Sequence, residues 1–351
     1  MTNHREAKGT KYAVLALVAT ATVSGCAAPA IPIPAPAAVG DSPALTAEQN
    51  LAVLAEINQV LTEASDSRDP EILRARVTGP ALAIRASQLY VADIIDDDSL
   101  VTVLPASYQQ LIIPSTSTWP RAAFAITDVT EELQPPRLLA LVQAGPREPY
   151  KLWGWVQLIP GVQMPAFHEP RLGSEVVAAD DTSLKITPID AVNQYADLLT
   201  LGTASAFNDN FEPIESDHFR YWLAGWVAAQ EEALSEERVE GTYSLVARPY
   251  SSGVWAVRTA DGGALVMAEL LTDERLEAVE GAVLTPQTQT ALALLQGHEF
   301  TNVLTAQYRD IIALHVPAAG SPDTVRLLGY SHIQIGASVG EYPDEGAEEA
   351  E

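Results

Sequence analysis

Two stretches of the chain, YKLWGWVQLIPG at 150–161 and VRLLGYSHIQIG at 325–336, carry one pattern at a constant offset of 175 residues. Their alternating apolar side chains predict that both are β-strands. Gly154 coincides with Gly329, and Trp155 coincides with Tyr330. Because glycine inside a strand is typical of a bend or of a closely approaching backbone, the matched glycines predict a repeated structural feature rather than a ligand site.

The elements around the two stretches follow the same order in each half of the chain. Thr46 opens a helix through a capping box with Gln49, and Thr187 opens another with Pro188 in its first turn. A second helix is predicted in each half, at 80–95 and at 217–234. The predicted strands of the two halves are 109–115, 122–129, 137–144 and 151–160, then 242–250, 255–260, 264–270, 303–316 and 325–336.

This order predicts an α+β fold made of tandem duplicated domains, each with N-terminal helices packed on a curved antiparallel sheet. The element order resembles that of nuclear-transport-factor-2-like (NTF2-like) or cystatin-like folds. The predicted boundaries are 46–162 for the first domain, 163–186 for a linker and 187–339 for the second domain. Residues 340–351, which are acidic and almost free of apolar side chains, are predicted to be a disordered tail.

The N-terminus predicts export and lipid attachment. Arg5, Lys8 and Lys11 precede an apolar run at 12–22, which is too short to span a bilayer and is typical of a signal peptide at 1–25. The following Val-Ser-Gly-Cys resembles a bacterial lipobox, which implies a diacylglyceryl or palmitate group on Cys26, the single cysteine of the chain. The alternative is an ordinary secretory signal with a coincidental cysteine. Residues 26–45, rich in proline, are predicted to form a semi-rigid tether.

The charge of the chain excludes one large class of partners. Lys and Arg number 20 against 46 Asp and Glu, giving a net charge of −26. A surface this acidic lacks the basic footprint that phosphate backbones require, so nucleic-acid binding is excluded.

Motifs for catalysis, metals and cofactors are not predicted. His298-Glu299 begins like a zinc-protease helix, but Asn302 stands where the second histidine is needed. Residues 336–340 match the letters of a serine-nucleophile turn without a following helix. Asp96-Asp97-Asp98 matches a sugar-nucleotide motif but is interpreted as a solvated helix end, and the histidines are interpreted as structural. No catalytic residue, metal or cofactor is therefore assigned.

One weak ligand-binding constellation remains, made of Arg85, Trp119, Arg121, Trp153 and Trp155. Aromatic rings on a concave sheet beside an arginine could form a cleft through stacking and one charge-assisted bond. The alternative is that Trp153 and Trp155 simply pack in the core. If one half of the chain carries a pocket, these residues predict that it is the first.

The chain resembles an uncharacterised actinobacterial (corynebacterial-type) family of surface lipoproteins, of which some members are labelled glycosyltransferase. The stretches that carry the resemblance are the lipobox, RVTGPALAIRASQL (76–89), STSTWPRAAF (115–124), YKLWGWVQLIPGV (150–162) and DDTSLKITP (180–188). The sequence thus predicts a protein lipid-anchored to the extracytoplasmic face of the cell membrane, acting as a non-catalytic binding or scaffolding module for an envelope lipid or protein. The alternative is an envelope enzyme acting on glycolipid or cell-wall sugars, although the alternating scaffold that glycosyltransferases need is missing.

Overall fold

The computed structural model describes residues 42–129, 134–236 and 240–340. The predicted signal peptide, Cys26, nearly all of the tether and the acidic tail after residue 340 lie outside these ranges. The helices are α1 (Ala47–Ser67), α2 (Gly79–Ile95), α3 (Pro188–Leu201), α4 (His218–Glu236) and α5 (Gln289–Leu294). The strands are β1 (Tyr108–Ile112), β2 (Pro114–Ser115), β3 (Arg121–Thr127), β4 (Arg137–Gln143), β5 (Lys151–Leu158), β6 (Ser174–Glu175), β7 (Gly241–Arg258), β8 (Ala264–Ala278), β9 (Val303–Val316) and β10 (Arg326–Val339).

Both predicted helix openings are confirmed. Thr46 accepts a hydrogen bond from the backbone N–H of Gln49, and the Gln49 side chain accepts from the N–H of Thr46, which completes the capping box of α1. Thr187 accepts from the N–H of Asp190 at the start of α3. These caps satisfy amides that a helix leaves without a partner in its first turn, so the local sequence fixes where both helices begin.

An antiparallel sheet of eight strands joins the two halves, and with the helices it confirms the α+β class. The strand order is β1-β3-β4-β5-β10-β9-β8-β7, and the sheet is curled. The final strands of the two halves therefore meet in the middle, where Gly329 pairs with Leu158 and Tyr330 with Gln157. We call the boundary between β5 and β10 the seam.

Each of the two matched glycines, Gly154 in β5 and Gly329 in β10, directly follows a residue that has no partner on the neighbouring strand. Ala140 pairs with Gly154 and Leu141 with Leu152, so Trp153 has no partner. Likewise Ala313 pairs with Gly329 and Leu314 with Leu327, so Leu328 has none. These are β-bulges at corresponding places, 175 residues apart.

The prediction of a close backbone approach is confirmed at Gly329, whereas Gly154 is confined by a side chain instead. A Cβ on Gly329 would lie 2.5 Å from the carbonyl oxygen of Gln157, and one on Gly154 would lie 2.9 Å from Cδ1 of Ile311. No side chain fits at either position without movement.

Two hydrophobic cores lie on opposite faces of the second-half strands. Leu265, Met267, Ile311 and Ala313 belong to a first core that they share with α1, α2 and the first-half strands. The alternate residues of the same strands, such as Val266 in β8 and Leu314 in β9, belong to a second core that also contains residues of α3 and α4. Because strands place successive side chains on opposite faces, the nearly continuous apolar runs in β8 and β9 supply both cores.

Residues 163–186 are attached to both halves. The Ser174 N–H donates to Ile113 O, and the Val177 N–H donates to Ala256 O. Farther along, the Lys185 N–H donates to Pro317 O. The described residues from 42 to 340 accordingly group into one compact unit.

Two details of the predicted elements were wrong. The strands expected at 242–250 and 255–260 are one strand, β7, whose pairing with β8 shifts register between Pro249 and Val254. The irregular pairing after Pro249 accommodates this proline within the strand. Helix α5 was not predicted, since six residues give too short a periodic pattern.

Candidate ligand groove at the seam

The five residues predicted to form one cleft lie at separate places. Arg85 lies over the Trp155 ring, with Cζ 5.6 Å from the ring centroid, and both side chains are buried. Trp153 is also buried and meets Trp255 edge-on at 6.2 Å. Both Trp153 and Trp155 are therefore buried in the core, as the alternative interpretation predicted. Trp155 also lines the groove described below.

Trp119 and Arg121 form a local cluster at the start of β3. The Arg121 guanidinium lies 4.5 Å from the Trp119 ring centroid, and Trp119 is 37% exposed. Trp119 Nε1 and Arg121 Nε both donate to Gln143 Oε1, at 3.0 and 2.9 Å. Since these polar groups satisfy one another, the cluster has a structural explanation.

A groove of about 430 Å³ lies at the seam and takes residues from both halves. We call it the seam groove. The lining comprises Thr102, Arg137, Trp155, Gln157, Leu158, Ile159, Pro160, His218, Trp222, Tyr330, Ser331, His332 and Ile333. The seam groove therefore belongs to both halves, whereas a separate cavity of about 900 Å³ is lined by first-half residues alone. No aspartate or glutamate occurs among the described residues that line the seam groove.

The ladder across the seam places the groove side chains on one face of the sheet. Gln157 and Tyr330 are directly opposite, so their side chains share a face. Trp155 and His332 lie two residues along each strand and therefore share that face as well. Thus Trp155 and Tyr330, which correspond in the repeat, line the two sides of the seam.

Aromatic rings form the side of the groove in the second half. Phe219 of α4 stacks on Tyr330 with centroids 4.4 Å apart. His332 is held between Tyr308, stacked at 4.1 Å, and Trp222, edge-on at 5.3 Å. Such pairs fix ring positions beyond what burial alone achieves, so this side of the groove is preformed.

His332 is oriented by a buried carboxylate. Its Nδ1 lies 2.6 Å from Oδ1 of Asp310, which is fully buried and pairs directly with His332 across the β9–β10 ladder. Thr272 donates to the other oxygen of Asp310 at 2.5 Å. The neighbouring Ser331 donates to Trp155 O at 2.8 Å, so its hydroxyl is already engaged.

Two arginines lie beside the first-half side of the groove. Arg85 donates to Thr102 O at 2.7 Å, and Arg137 donates through Nε to Val103 O at 3.0 Å. Burial, followed by the charge of Arg137, lowers the pKa of Arg85 to about 10. Burial also lowers the pKa of Arg137. Neither shares a salt bridge with a carboxylate among the described residues.

The start of α4, beside the groove, is fixed by Asp217. Its carboxylate accepts from Tyr195 Oη at 3.0 Å and from the backbone N–H groups of Phe219 and Arg220. Burial is the main cause that raises the pKa of Asp217, against the opposing hydrogen bonds. This anchoring places His218 and Trp222 at the groove.

A second cavity of about 500 Å³ contains one buried acid, Glu274. Trp226 Nε1 donates to Glu274 Oε1 at 3.0 Å, and Tyr308 Oη lies 3.4 Å from its other oxygen. Burial raises the pKa of Glu274, with the charge of His332 acting in the opposite direction. Tyr308 separates this acid from His332, so one ring contributes to both environments.

The interpretation of Asp96-Asp97-Asp98 as a solvated helix end is confirmed. The Asp96–Asp98 triplet is exposed at the end of α2, where Arg68 contacts Asp96 and Asp98 at 3.1 and 3.3 Å. Asp97 accepts from the Ser99 N–H. The side chains of the exposed triplet thus form their polar contacts with a nearby arginine and serine.

Residues 42–129, 134–236 and 240–340 contain neither a candidate metal site nor a helix that could span a membrane. Histidine, cysteine, aspartate and glutamate nowhere gather there into a group of three or more that could hold a metal ion. No helix in these ranges has the length and apolar composition needed to cross a bilayer.

Sequence reasoning identified Trp155 but not its partners in the groove. Asp310 and His332 are 22 residues apart, and the signal that could have joined them is the register of the β9–β10 hairpin. Arg137 opens a predicted strand, but its proximity to Arg85 depends on the loop at 101–104, which has no periodic pattern.

Comparison with known proteins gives one result at the level of family. Neither the curated proteins nor the solved structures contain a match to this chain. A family model described as "Domain of unknown function (DUF8094)" matches residues 41–338, which include the five helices named above and the sheet apart from the last residue of β10. The chain therefore belongs to the DUF8094 family.

Proposed function

We propose that the protein is a non-catalytic binding module of the cell envelope and that the seam groove is its ligand site. The observation that carries this proposal is the groove itself, in which Trp155, Trp222 and Tyr330 surround a space of about 430 Å³. Ligand sites are typically concave, mostly apolar and formed in advance, with a few polar groups for orientation. An acid pair at the bottom of the groove would favour an enzyme, but its described lining contains no carboxylate.

The location proposed for this module is the outer face of the cell membrane. The lipobox ending at Cys26 supports lipid anchoring, and the proline-rich segment after it supports a spacer between the lipid and the folded part. Cys26→Ala in the full chain is expected to abolish palmitate labelling and membrane retention. Retention of the variant at the wild-type level would contradict the anchor.

We also propose that the two halves descend from one duplicated unit of the NTF2-like or cystatin-like order. Each half has two helices followed by a strand meander, and each bulge precedes a glycine in the final strand. The strand order on one side of the seam mirrors that on the other. A binding site at such a junction would belong to neither half alone.

The binding proposal is tested with phenylnaphthylamine, a neutral probe whose fluorescence rises in apolar sites. Wild type is expected to bind it saturably. Trp222→Ala removes a half-exposed ring from the groove and is expected to weaken binding about fivefold, the equivalent of about 1 kcal/mol for one aromatic contact. Trp119→Ala is the matched control, since Trp119 is similarly exposed but does not line the groove.

Two outcomes would contradict the binding proposal. Wild type that fails to bind the probe would leave the groove without the proposed role. Equal weakening by Trp222→Ala and Trp119→Ala would place the bound probe elsewhere.

An envelope enzyme acting on glycolipid or cell-wall sugars is the second candidate, and the His332–Asp310 pair favours it. A histidine whose one nitrogen is held by a buried carboxylate is positioned as general bases are. Wild type would be incubated with envelope glycolipids, and the products identified by mass spectrometry. Turnover that is lost in His332→Gln, while probe binding remains, would replace the binding proposal with the enzymatic one.

A further inference from the structure

Two arginines near the seam groove, Arg137 in its lining and Arg85 over the Trp155 ring, form no salt bridge with a carboxylate among the described residues. Arg85 is 3% exposed, and its Nε has no hydrogen-bond partner. Arg137 lines the groove directly, and its Nε donates a hydrogen bond to Val103 O. A guanidinium has five N–H donors, so both side chains retain donors after these backbone contacts.

This arrangement is unusual in a chain with 46 acidic residues. Arg309 is comparably buried but lies 3.1 Å from Glu269, and Arg258 lies 2.8 Å from Asp181. Buried charges are normally paired because desolvating a lone ion is costly. Two neighbouring arginines without a carboxylate partner leave guanidinium donors free to bind the oxygens of an anion.

Two carboxylates beside residues of the groove are already bound. Asp310 contacts His332 and Thr272, and Asp217 accepts bonds from Tyr195 and two backbone amides. Neither replaces an anion next to Arg137. In addition, the indole N–H of Trp155, a fully buried residue that lines the groove, has no acceptor.

We propose that the seam groove selects ligands in which a carboxylate, phosphate or similar anionic group is attached to a flat or apolar body. Arg137 binds the anion, Arg85 adds charge behind Trp155, and the rings of Trp222 and Tyr330 contact the apolar body. This inference rests on the proposed binding function and names its ligand class. Arginine suits such a role because its planar fork matches the oxygens of carboxylates and phosphates.

Two probes with the same aromatic frame separate the two proposals. Anilinonaphthalene sulfonate carries an anion, and phenylnaphthylamine does not. Wild type is expected to bind the sulfonate at least tenfold more tightly. Failure of both probes to bind would refute the groove as a ligand site, whereas equal affinity for the two would refute only the anion selectivity.

The arginine is tested with a pair of variants of equal charge change. Arg137→Gln is expected to weaken sulfonate binding about tenfold and to change phenylnaphthylamine binding less than twofold. Arg147→Gln is the control, since Arg147 is exposed in the β4–β5 turn and does not line the groove. Equal losses for both probes in Arg137→Gln, or an equal loss of sulfonate binding in Arg147→Gln, would overturn the assignment of Arg137.

Competition distinguishes a free anion from an amphiphile. Displacement of the sulfonate probe by inorganic phosphate would support a site for a small anion. Displacement by hexyl phosphate, but not by inorganic phosphate, would support an anionic lipid-like ligand. Displacement by neither would overturn the proposed ligand class.

Discussion

Gly329 lies where β10 passes closest to β5, and a methyl group at this position meets backbone atoms. A Cβ would be 2.5 Å from Gln157 O, 3.1 Å from Gln157 C and 3.1 Å from Leu158 Cα. None of these atoms can rotate away, so Gly329→Ala has to separate the two strands. Gly154, the corresponding residue of the first half, faces the terminal methyl of Ile311 instead, at 2.9 Å.

The cost of Gly329→Ala follows from three terms. Overpacking of a tight core costs about 1–3 kcal/mol. Separation at Gly329 also weakens the ladder, where the Ile159 N–H donates to Leu328 O, and each lost hydrogen bond costs about 1 kcal/mol. Alanine recovers roughly 0.5–1 kcal/mol because it restricts the unfolded chain more than glycine does. We expect a net loss of about 2–3 kcal/mol for Gly329→Ala and less than about 1 kcal/mol for Gly154→Ala.

The assay is urea unfolding of both variants, followed by far-ultraviolet circular dichroism, with the slope compared to that of wild type. Gly329→Ala should also weaken phenylnaphthylamine binding, because Tyr330 and Leu158 line the groove. Equal midpoints for the two variants would refute the reasoning, since they differ in whether backbone or a flexible side chain is displaced. A Gly329→Ala protein as stable as wild type would refute it as well.

Three further outcomes follow from single side chains, each read from urea midpoints. Thr46→Ala removes the α1 cap and should cost about 1 kcal/mol, whereas Thr62→Ala on the same helix should change little. Asp310→Ala leaves His332 and Thr272 without their buried acceptor and should lower the free energy of unfolding by about 3 kcal/mol. An unchanged urea midpoint would contradict this expectation. The pKa of Glu274 in the folded state is raised above its ordinary 4.5, so the folded state binds more protons than the unfolded state above that pH. The contribution of Glu274 to stability therefore falls as the pH rises from 4.5 through the folded-state pKa. Glu274→Gln should therefore gain stability relative to wild type as the pH rises above 4.5, and a stability difference that stays constant with pH would contradict this sign.

Local signals explain why the helices could be predicted. The Thr46 and Thr187 caps act within one turn, and the apolar spacing of α1 and α3 spans only a few more residues. β9 was predicted with its observed bounds because alternation and turn residues suffice for a hairpin strand. Interactions that close over short separations leave their pattern in contiguous sequence.

The seam could not be predicted from such signals. Leu158 and Gly329 pair across 171 residues, and their register depends on packing in the shared first core. The repeat shows that the final strands correspond, but correspondence does not imply contact, since two independent domains would show the same pattern. A groove formed by this contact was therefore invisible in the sequence, although Trp155 was among the predicted ligand residues.

The two sides of the seam share a bulge followed by a glycine, but they carry different side chains. This difference predicts the orientation of a bound ligand. The bulge and glycine are the same in β5 and β10, so shape is retained on both sides. On the first-half side Trp155 has Arg85 over its ring and Arg137 nearby, whereas on the other side Tyr330 has Phe219 stacked on it. Because Arg85 and Arg137 both lie on the first-half side, an anionic amphiphile should place its charged group toward Arg137 and its apolar part toward Trp222. Arg137→Gln should then alter selectivity among head groups, while Trp222→Ala should alter selectivity among apolar bodies, and an exchange of these two effects would show the opposite orientation.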